Sequence, residues 1–324
     1  MPPLSSSNVS RPPVLVVDIG GTKIAAAYVD EQAAIHRYRA VPTPAAQGGQ
    51  AVLKTALAVV DELRREIDEA GLSAPEAVGI GSAGDIDPNT GGVVFATDSI
   101  PAWAGTPLRD RFESALSLPV AVDNDGNTMA LGEARFGAGR GFRHVIGITV
   151  GTGIGGGLVL DGRVYHGALG VAGAIGHIVI QAADGPPCVC GGRGCLEMLA
   201  SGPAIEAAYQ RSAGNAGADR VPGGVRELLR LAESGDSAAW SAIAGGAAAL
   251  GVGIASLLNL LNPECVVLAG GVAQIGDPYL ERVRAAVHLH AKAPVRETPV
   301  LLSALGVQAN LIGAAALAWD QLGL

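Results

Sequence analysis

The chain has 324 residues, of which 49% are hydrophobic and 47 are glycine, and its net charge is −8. A chain of this length buries about three-quarters of its unfolded surface, so core size is no constraint, and the acidic balance gives no footprint for a phosphate backbone, which argues against nucleic-acid binding. Apolar runs are broken by Gly, Pro or polar residues before the roughly 20 needed to span a bilayer, and residues 1–13 lack the basic and apolar regions of a signal peptide. The expectation is a soluble, cytoplasmic protein whose first 13 residues form a disordered lead-in.

In chain order, residues 14–17 read as a strand, 18–22 as a tight polar turn and 24–29 as a second strand pairing back across it, a hairpin with a glycine tip. Val52, Leu53, Leu57, Val60, Leu63 and Ile67 recur at helical spacing and predict a helix over 49–70 closed by Gly71. Residues 78–80 form a buried strand that opens into the loop 81–87, and 120–122 another that stops at Asp123-Asn124-Asp125. Residues 145–150 run into a glycine loop over 151–157, and 158–160 with 163–164 complete a second hairpin laid out like the first. Helices are predicted over 204–210, 225–233, 238–261 and 310–322, with a strand over 265–268 ending at Gly270-Gly271. Strands alternating with helices predict an α/β fold, and the repeated strand-turn-strand unit predicts two related domains.

Two glycine turns carry candidate chemistry. Asp18-Ile19-Gly20-Gly21-Thr22-Lys23 and Gly151-Thr152-Gly153-Ile154-Gly155 each place a hydroxyl in a run of backbone N–H groups able to cradle an anion. Neither has the spacing of a Walker loop, and the second lies between strands, unlike a dinucleotide fingerprint. Phosphate held between hairpins is the reading that remains. A third pattern lies between His177 and Cys195, where His177, Cys188, Cys190 and Cys195 supply a complete set of four ligands within a glycine-rich loop. Zn²⁺ takes four tetrahedral N/S ligands in structural sites, so this loop is expected to hold zinc. The remaining cysteine, Cys265, falls in an apolar strand.

These motifs, taken with Asp123-Asn124-Asp125-Gly126-Asn127, Gly176-His177 and Cys188-Val189-Cys190 through Cys195-Leu196-Glu197, occur in the order and spacing of the ROK family of sugar kinases and repressors, which the chain resembles from about Val14 to Ala315. The resemblance implies an actin-like ATPase (ribonuclease-H-like) fold of two α/β domains, with ATP and sugar in a cleft. Residues 14–122 with 310–324 would form the small domain, and 123–309, including the zinc loop 177–195, the large one. It implies Asp125 as the general base and Asn124, Gly84, His177 and Glu197 as sugar contacts. Asp18 would position Mg²⁺ through water, and Gly20, Gly21, Thr22, Lys23, Gly151, Thr152 and Gly153 would bind ATP phosphates. Gly270 and Gly271 would approach the adenosine. A homodimer or homotetramer acting on a small sugar, with ATP, Mg²⁺ and structural Zn²⁺, is the implied assembly.

The chain departs from that pattern at Ala174, where sugar-phosphorylating members carry Glu ahead of Gly-His, and at Ser99, where many carry Asn. Asp85 and Asp98 add acids near the expected sugar site. Transfer of the γ-phosphate of ATP to the 6-hydroxyl of glucose or a glucose-like sugar is the primary expectation. An amino-hexose 6-kinase of the kanosamine or glucosamine type is the alternative, with Asp85 or Asp98 facing the ammonium. A non-catalytic sugar-binding protein or repressor is a third reading, disfavoured because only residues 1–13 precede the first strand, where family repressors carry a helix-turn-helix.

Overall fold

The computed structural model describes residues 11–97, 99–212, 214 and 223–324. Asp98 and most of the expected lead-in lie outside those residues. The chain divides into two compact units. One runs to Arg143 and takes in Gly157–Gly173 and Val307–Leu324, and the other comprises His144–Gly156 and Ala174–Gly306. The division expected from sequence at 122/123 therefore falls at 143/144.

In the first unit, strands β1 (Val14–Ile19), β2 (Lys23–Val29) and β3 (Ile35–Pro42) form an antiparallel meander. Helix α1 (Gly49–Glu69) follows, then β4 (Val78–Ser82), the short hairpin of β5 (Asp85–Ile86) and β6 (Val93–Phe95), helix α2 (Leu108–Leu116) and β7 (Val120–Asn124). The sheet order is β3-β2-β1-β4-β7, with β4 parallel to both β1 and β7. Val14 to Val17 are fully buried, as a continuous apolar run must be when both faces of a strand are covered. Leu15, Val17 and Ile19 pack with Val52, Leu53, Val60, Leu63 and Ile67 of α1 in one apolar cluster. Helix α3 (Asp125–Phe136) follows β7 directly and packs within this unit.

The second unit holds β8 (Val145–Val150), from which the chain returns as β9 (Ile154–Leu160) and passes into the first unit at Gly157, followed by β10 (Arg163–Val164). Helices α4 (Glu197–Ala200), α5 (Gly202–Ser212), α6 (Gly224–Glu233) and α7 (Ser237–Leu261) precede β11 (Cys265–Ala269), α8 (Asp277–His290) and β12 (Val300–Leu302). The second sheet has the order β10-β9-β8-β11-β12, with β8, β11 and β12 mutually parallel. Helix α9 (Ala309–Gln321) then returns to the first unit and packs on α3, β1 and β4.

Three expectations are corrected. The glycine loop at 151–157 is shorter than predicted, because β9 begins at Ile154 and tolerates the glycines that follow. Arg11, Pro12 and Pro13 are anchored: the Arg11 guanidinium lies over the rings of Phe136 and Trp319, and the Pro12 carbonyl accepts the Trp319 indole N–H at 2.8 Å. Helix α7, 25 residues without a charge, is long and apolar enough by composition to cross a membrane. Its Ile243, Leu250, Ile254 and Leu258 are buried in the second unit, and Asp236 caps it through the amides of Ala238 and Ala239.

Candidate functional site

Register concentrates polar groups at one edge of the first sheet. Asp18 stands opposite Gly81 on β4, which stands opposite Asp123 on β7, and Ser82 stands opposite Asn124. The carboxyl ends of these parallel strands therefore share an edge, the usual place for ligand groups in an open α/β sheet. Beyond Asp18 the turn at Gly20 and Gly21 is closed by the Gly20 N–H donating to the Lys23 carbonyl at 3.0 Å, and the Thr43 hydroxyl donates to the Gly20 carbonyl at 2.7 Å. Thr22 and Lys23 are exposed. Burial pushes the Asp18 carboxyl up, opposed by a hydrogen bond from the Asn310 amide at 3.3 Å and the charge of Lys23.

Asn124 caps α3: its Oδ1 accepts the Gly126 N–H at 2.8 Å, while its Nδ2 donates to the Gly84 carbonyl at 2.9 Å. Both ends of that amide are thereby fixed, and Gly84 acts through its carbonyl. Asp125 is the first residue of α3, half-buried, with Oδ1 accepting the same Gly126 N–H at 2.8 Å. The helix N-terminus favours its charge. Burial, followed by repulsion from Asp18, outweighs that and pushes the Asp125 carboxyl up to about 6. Behind it Asp123 accepts its neighbour's N–H at 2.7 Å, the Asn127 amide at 2.8 Å and the His166 Nε2–H at 2.7 Å. That hydrogen bond to Asp123 raises the His166 imidazole.

In the second unit the turn between β8 and β9 is tight, the Gly151 N–H donating to the Gly153 carbonyl at 2.9 Å. Thr152 at its tip is exposed. A cavity of about 270 Å³ opens beside it, lined by Gly151, Thr152, Gly202, Pro203, Glu206, Gly223, Val225, Arg226, Gly271 and Val272. Gly270 does not line this cavity but makes it possible. Its φ is +92°, and a β-carbon there would lie 2.3 Å from the Val150 carbonyl oxygen, so only glycine turns the chain at this point.

The metal loop is closed by two isolated bridges, Val179 with Cys195 and Pro187 with Arg193. Gly194, at φ +66°, would put a β-carbon 1.8 Å from the Gln181 carbonyl oxygen, so the chain can double back here only at glycine. One ligand atom each from His177, Cys188, Cys190 and Cys195 lies within 4.8 Å of every other. Cys188 Sγ is 3.6 Å from His177 Nδ1, and Cys190 Sγ is 3.6 Å from Cys195 Sγ. Zn–S bonds of about 2.3 Å at tetrahedral angles require edges of about 3.6–3.8 Å, so these two edges have the length a zinc site needs and the set is consistent with one. Burial pushes the Cys195 thiol up to about 12, and a cation is what would make its thiolate accessible at neutral pH.

Asp18, Asn124 and Asp125 thus gather at one edge of the first unit, while Thr152 and Gly271 meet at the second unit's cavity and the four metal ligands meet in its loop. Ala174 is exposed, directly before the 3-10 turn Ile175–His177. Asp85 opens β5. Asn310, His166, Glu206 and Arg226 were not legible from sequence. They lie in helices or connecting segments with no local motif, and only tertiary packing brings them to the sites.

These features define an α/β protein with two glycine-turn hairpins and a Cys3His loop. The ROK family matches residues 14–321, and the chain belongs to that family. A glucokinase of Halalkalibacterium halodurans is 36% identical over 306 residues, covering 92% of each chain. The ROK hexokinase of Thermus thermophilus superposes with a TM-score of 0.81 at 37% identity, covering 96% of this chain and 99% of that one. A ROK glucokinase of Streptomyces griseus, in complex with glucose and AMPPNP, gives 0.79 at 36% identity over 95% and 99%.

Proposed function

We propose that this chain is an ATP-dependent hexose kinase that transfers the γ-phosphoryl group of ATP to the 6-hydroxyl of glucose. The observation that carries the reading is Asp125, a half-buried carboxylate raised to about 6 and oriented by the first turn of α3, in a chain that shares a third of its sequence with glucokinases along most of its length. A sugar hydroxyl is a poor nucleophile. Asp125 accepts its proton while the sugar oxygen bonds to phosphorus and the bond from phosphorus to the ADP oxygen breaks; the proton then passes to solvent. Because the carboxyl titrates near 6, it is ionised at neutral pH yet basic enough to take that proton.

Asn124, fixed at both ends of its amide, orients the acceptor sugar, with Gly84, His177 and Glu197 completing the sugar contacts that family membership implies. The turns at Gly20–Thr22 and Gly151–Gly153 hold phosphates, Lys23 adds positive charge, and the cavity beside Thr152 and Gly271 takes the nucleoside. Asp18 would hold the Mg²⁺ that ATP carries, which would neutralise phosphate charge. Zn²⁺ on His177, Cys188, Cys190 and Cys195 is structural, since all four positions are filled by protein. A homodimer or homotetramer is the assembly we expect, and the cytoplasm, which supplies ATP and keeps thiols reduced, is the compartment.

A coupled ADP-release assay across glucose, mannose, glucosamine and kanosamine tests the reading. Glucose-dependent turnover is the expected result, and ATP turnover with no hexose in the panel would overturn it. Ala174 favours a second outcome in the same assay, a higher kcat/KM for an amino-hexose than for glucose.

A further inference from the structure

Glu197 is tied to the turn between β8 and β9 through one of its two carboxylate oxygens. Its Oε2 accepts the backbone N–H of Ile154 at 2.7 Å, and a β-carbon on Gly153 would lie 2.6 Å from that same oxygen. One carboxylate oxygen is therefore pressed against the turn between β8 and β9. The segment that follows holds the other end of this turn, where the Gly202 N–H donates to the Gly151 carbonyl at 2.8 Å. Residues 197–202 clamp the turn 151–154 at its first and last residues.

What fixes Glu197 in its turn is the metal loop. Cys195, two residues upstream, is 1% exposed and belongs to the ligand set. Between them Leu196 donates its N–H to the Ile178 carbonyl at 2.8 Å and buries its side chain against Gly253 of α7. Ile178 directly follows the ligand His177. Glu197 is thus reached from the ligand Cys195 through a buried Leu196 that is bonded to the neighbour of the ligand His177, with no exposed hinge between Cys195 and Glu197.

We infer that Glu197 is a positioning residue that ties the metal loop to the phosphate turn, so that occupancy of the metal site sets the affinity for nucleotide. This rests on the proposed kinase reading. A bound cation holds Cys195 and His177 together; Glu197 transmits that placement to Ile154, and the turn keeps the curvature that aims its amides at phosphate. Without the clamp the four-residue turn is free to flatten, and the ordering cost falls on nucleotide binding instead.

The test is calorimetric titration of Mg-AMPPNP into the full chain without sugar, with zinc content measured on each sample. Glu197→Ala is expected to weaken nucleotide binding by about 10-fold or more, the scale of one charged hydrogen bond, with zinc retained. Glu197→Gln keeps an acceptor for the Ile154 N–H and is expected to stay within about 3-fold of wild type. Gly153→Ala attacks the contact from the other side, and the double variant should be no weaker than the weaker single, as expected for two lesions in one interaction. Stripping zinc from wild type with a chelator that spares Mg²⁺ should cost the same factor as Glu197→Ala, and stripping it from Glu197→Ala should cost little more. Wild-type affinity in a zinc-loaded Glu197→Ala protein, or an equal loss on stripping wild type and Glu197→Ala, overturns the coupling alone. Failure of zinc-loaded wild type to bind Mg-AMPPNP overturns the kinase reading on which it stands.

Discussion

Asp125 lies where opposing effects meet. The amides at the start of α3 favour its charge, and burial beside Asp18 resists it strongly enough to bring the carboxyl to about 6. In the kinase reading the ionised form is the active one, so kcat/KM for the sugar should fall as pH drops through about 6, and a pH-rate profile with no acid limb there would remove Asp125 as base. Asp125→Asn should slow turnover by roughly 10²- to 10⁴-fold while leaving Mg-AMPPNP binding in place. The same variant should be more stable than wild type at pH 8. A carboxyl raised from 3.8 to about 6 binds its proton more tightly folded than unfolded, so its charge costs stability progressively as pH rises from about 4 through 6 and fully above that. Removing that charge should recover about 1 to 3 kcal/mol in urea unfolding, allowing for some solvent screening at a half-buried site. Lower stability of the Asn variant at pH 8 would show that the carboxylate is held by favourable contacts after all. Ala174 poses the other residue-scale question. Ala174→Glu restores the carboxylate that family membership implies for sugar hydroxyls, and should shift the ratio of kcat/KM for glucose over amino-hexoses upward by about 10- to 150-fold. An unchanged ratio would make the substitution neutral for sugar choice.

At the scale of elements, the metal loop has little regular structure to hold it. Residues 177–195 contain two isolated bridges and begin at the last residue of a 3-10 turn, with no helix or extended strand of their own. Such a segment has little apolar burial to offset its ordering entropy, so the ligand bonds must supply the order. Cys190→Ser should lower zinc from about one ion per chain towards none. It should also open the loop to limited proteolysis near Val189, which is already exposed. A metal-free variant whose loop resists protease as wild type does would show that the glycine turns alone hold it. The β5–β6 hairpin illustrates the opposite case: it is short, but Ile86 and Val93 are buried in the first unit's core, the Val93 N–H donates to the Thr106 carbonyl, and Gly84 before it accepts the Asn124 amide.

Across the whole molecule, the first unit is assembled from three separated pieces of chain, and the C-terminal helix completes it. The approach of α9 is close: a β-carbon on Gly313 would meet the Thr128 carbonyl oxygen at 1.7 Å, and one on Gly79 the Ala314 carbonyl oxygen at 1.8 Å. Helix α9 therefore lies nearly backbone-to-backbone on α3 and β4, and through Asn310 it reaches Asp18. Gly313→Ala should separate these elements and destabilise the chain by about 3 kcal/mol or more, a steric cost that backbone cannot relax. Equilibrium urea unfolding checks this, and an unchanged midpoint would mean that α9 shifts freely. The same variant should reduce sugar turnover, because α3 carries Asp125.

The sequence by itself determined the α/β class, the first hairpin, α1, α7, the buried strands at 78 and 120, and the glycine turns at Gly20 and Gly151, because periodicity and turn chemistry are local properties of the chain. The four metal ligands were legible for a similar reason: their spacing is short enough that one loop must bring them together. Of helix α3 the sequence shows only the strand end and a segment, Asp123-Asn124-Asp125-Gly126, that suits a turn or a helix cap, and the helix itself packs on α9. Arg11 to Pro13 looked disordered for want of any pattern, yet Trp319, some 300 residues away, anchors them. Tertiary structure alone decided that Asp18 meets Asn310, that Asp123 meets His166, and that Glu197 reaches Ile154. Those contacts are made by side chains with ordinary local surroundings, whose partners are chosen by how sheets and helices stack and not by any neighbour in sequence.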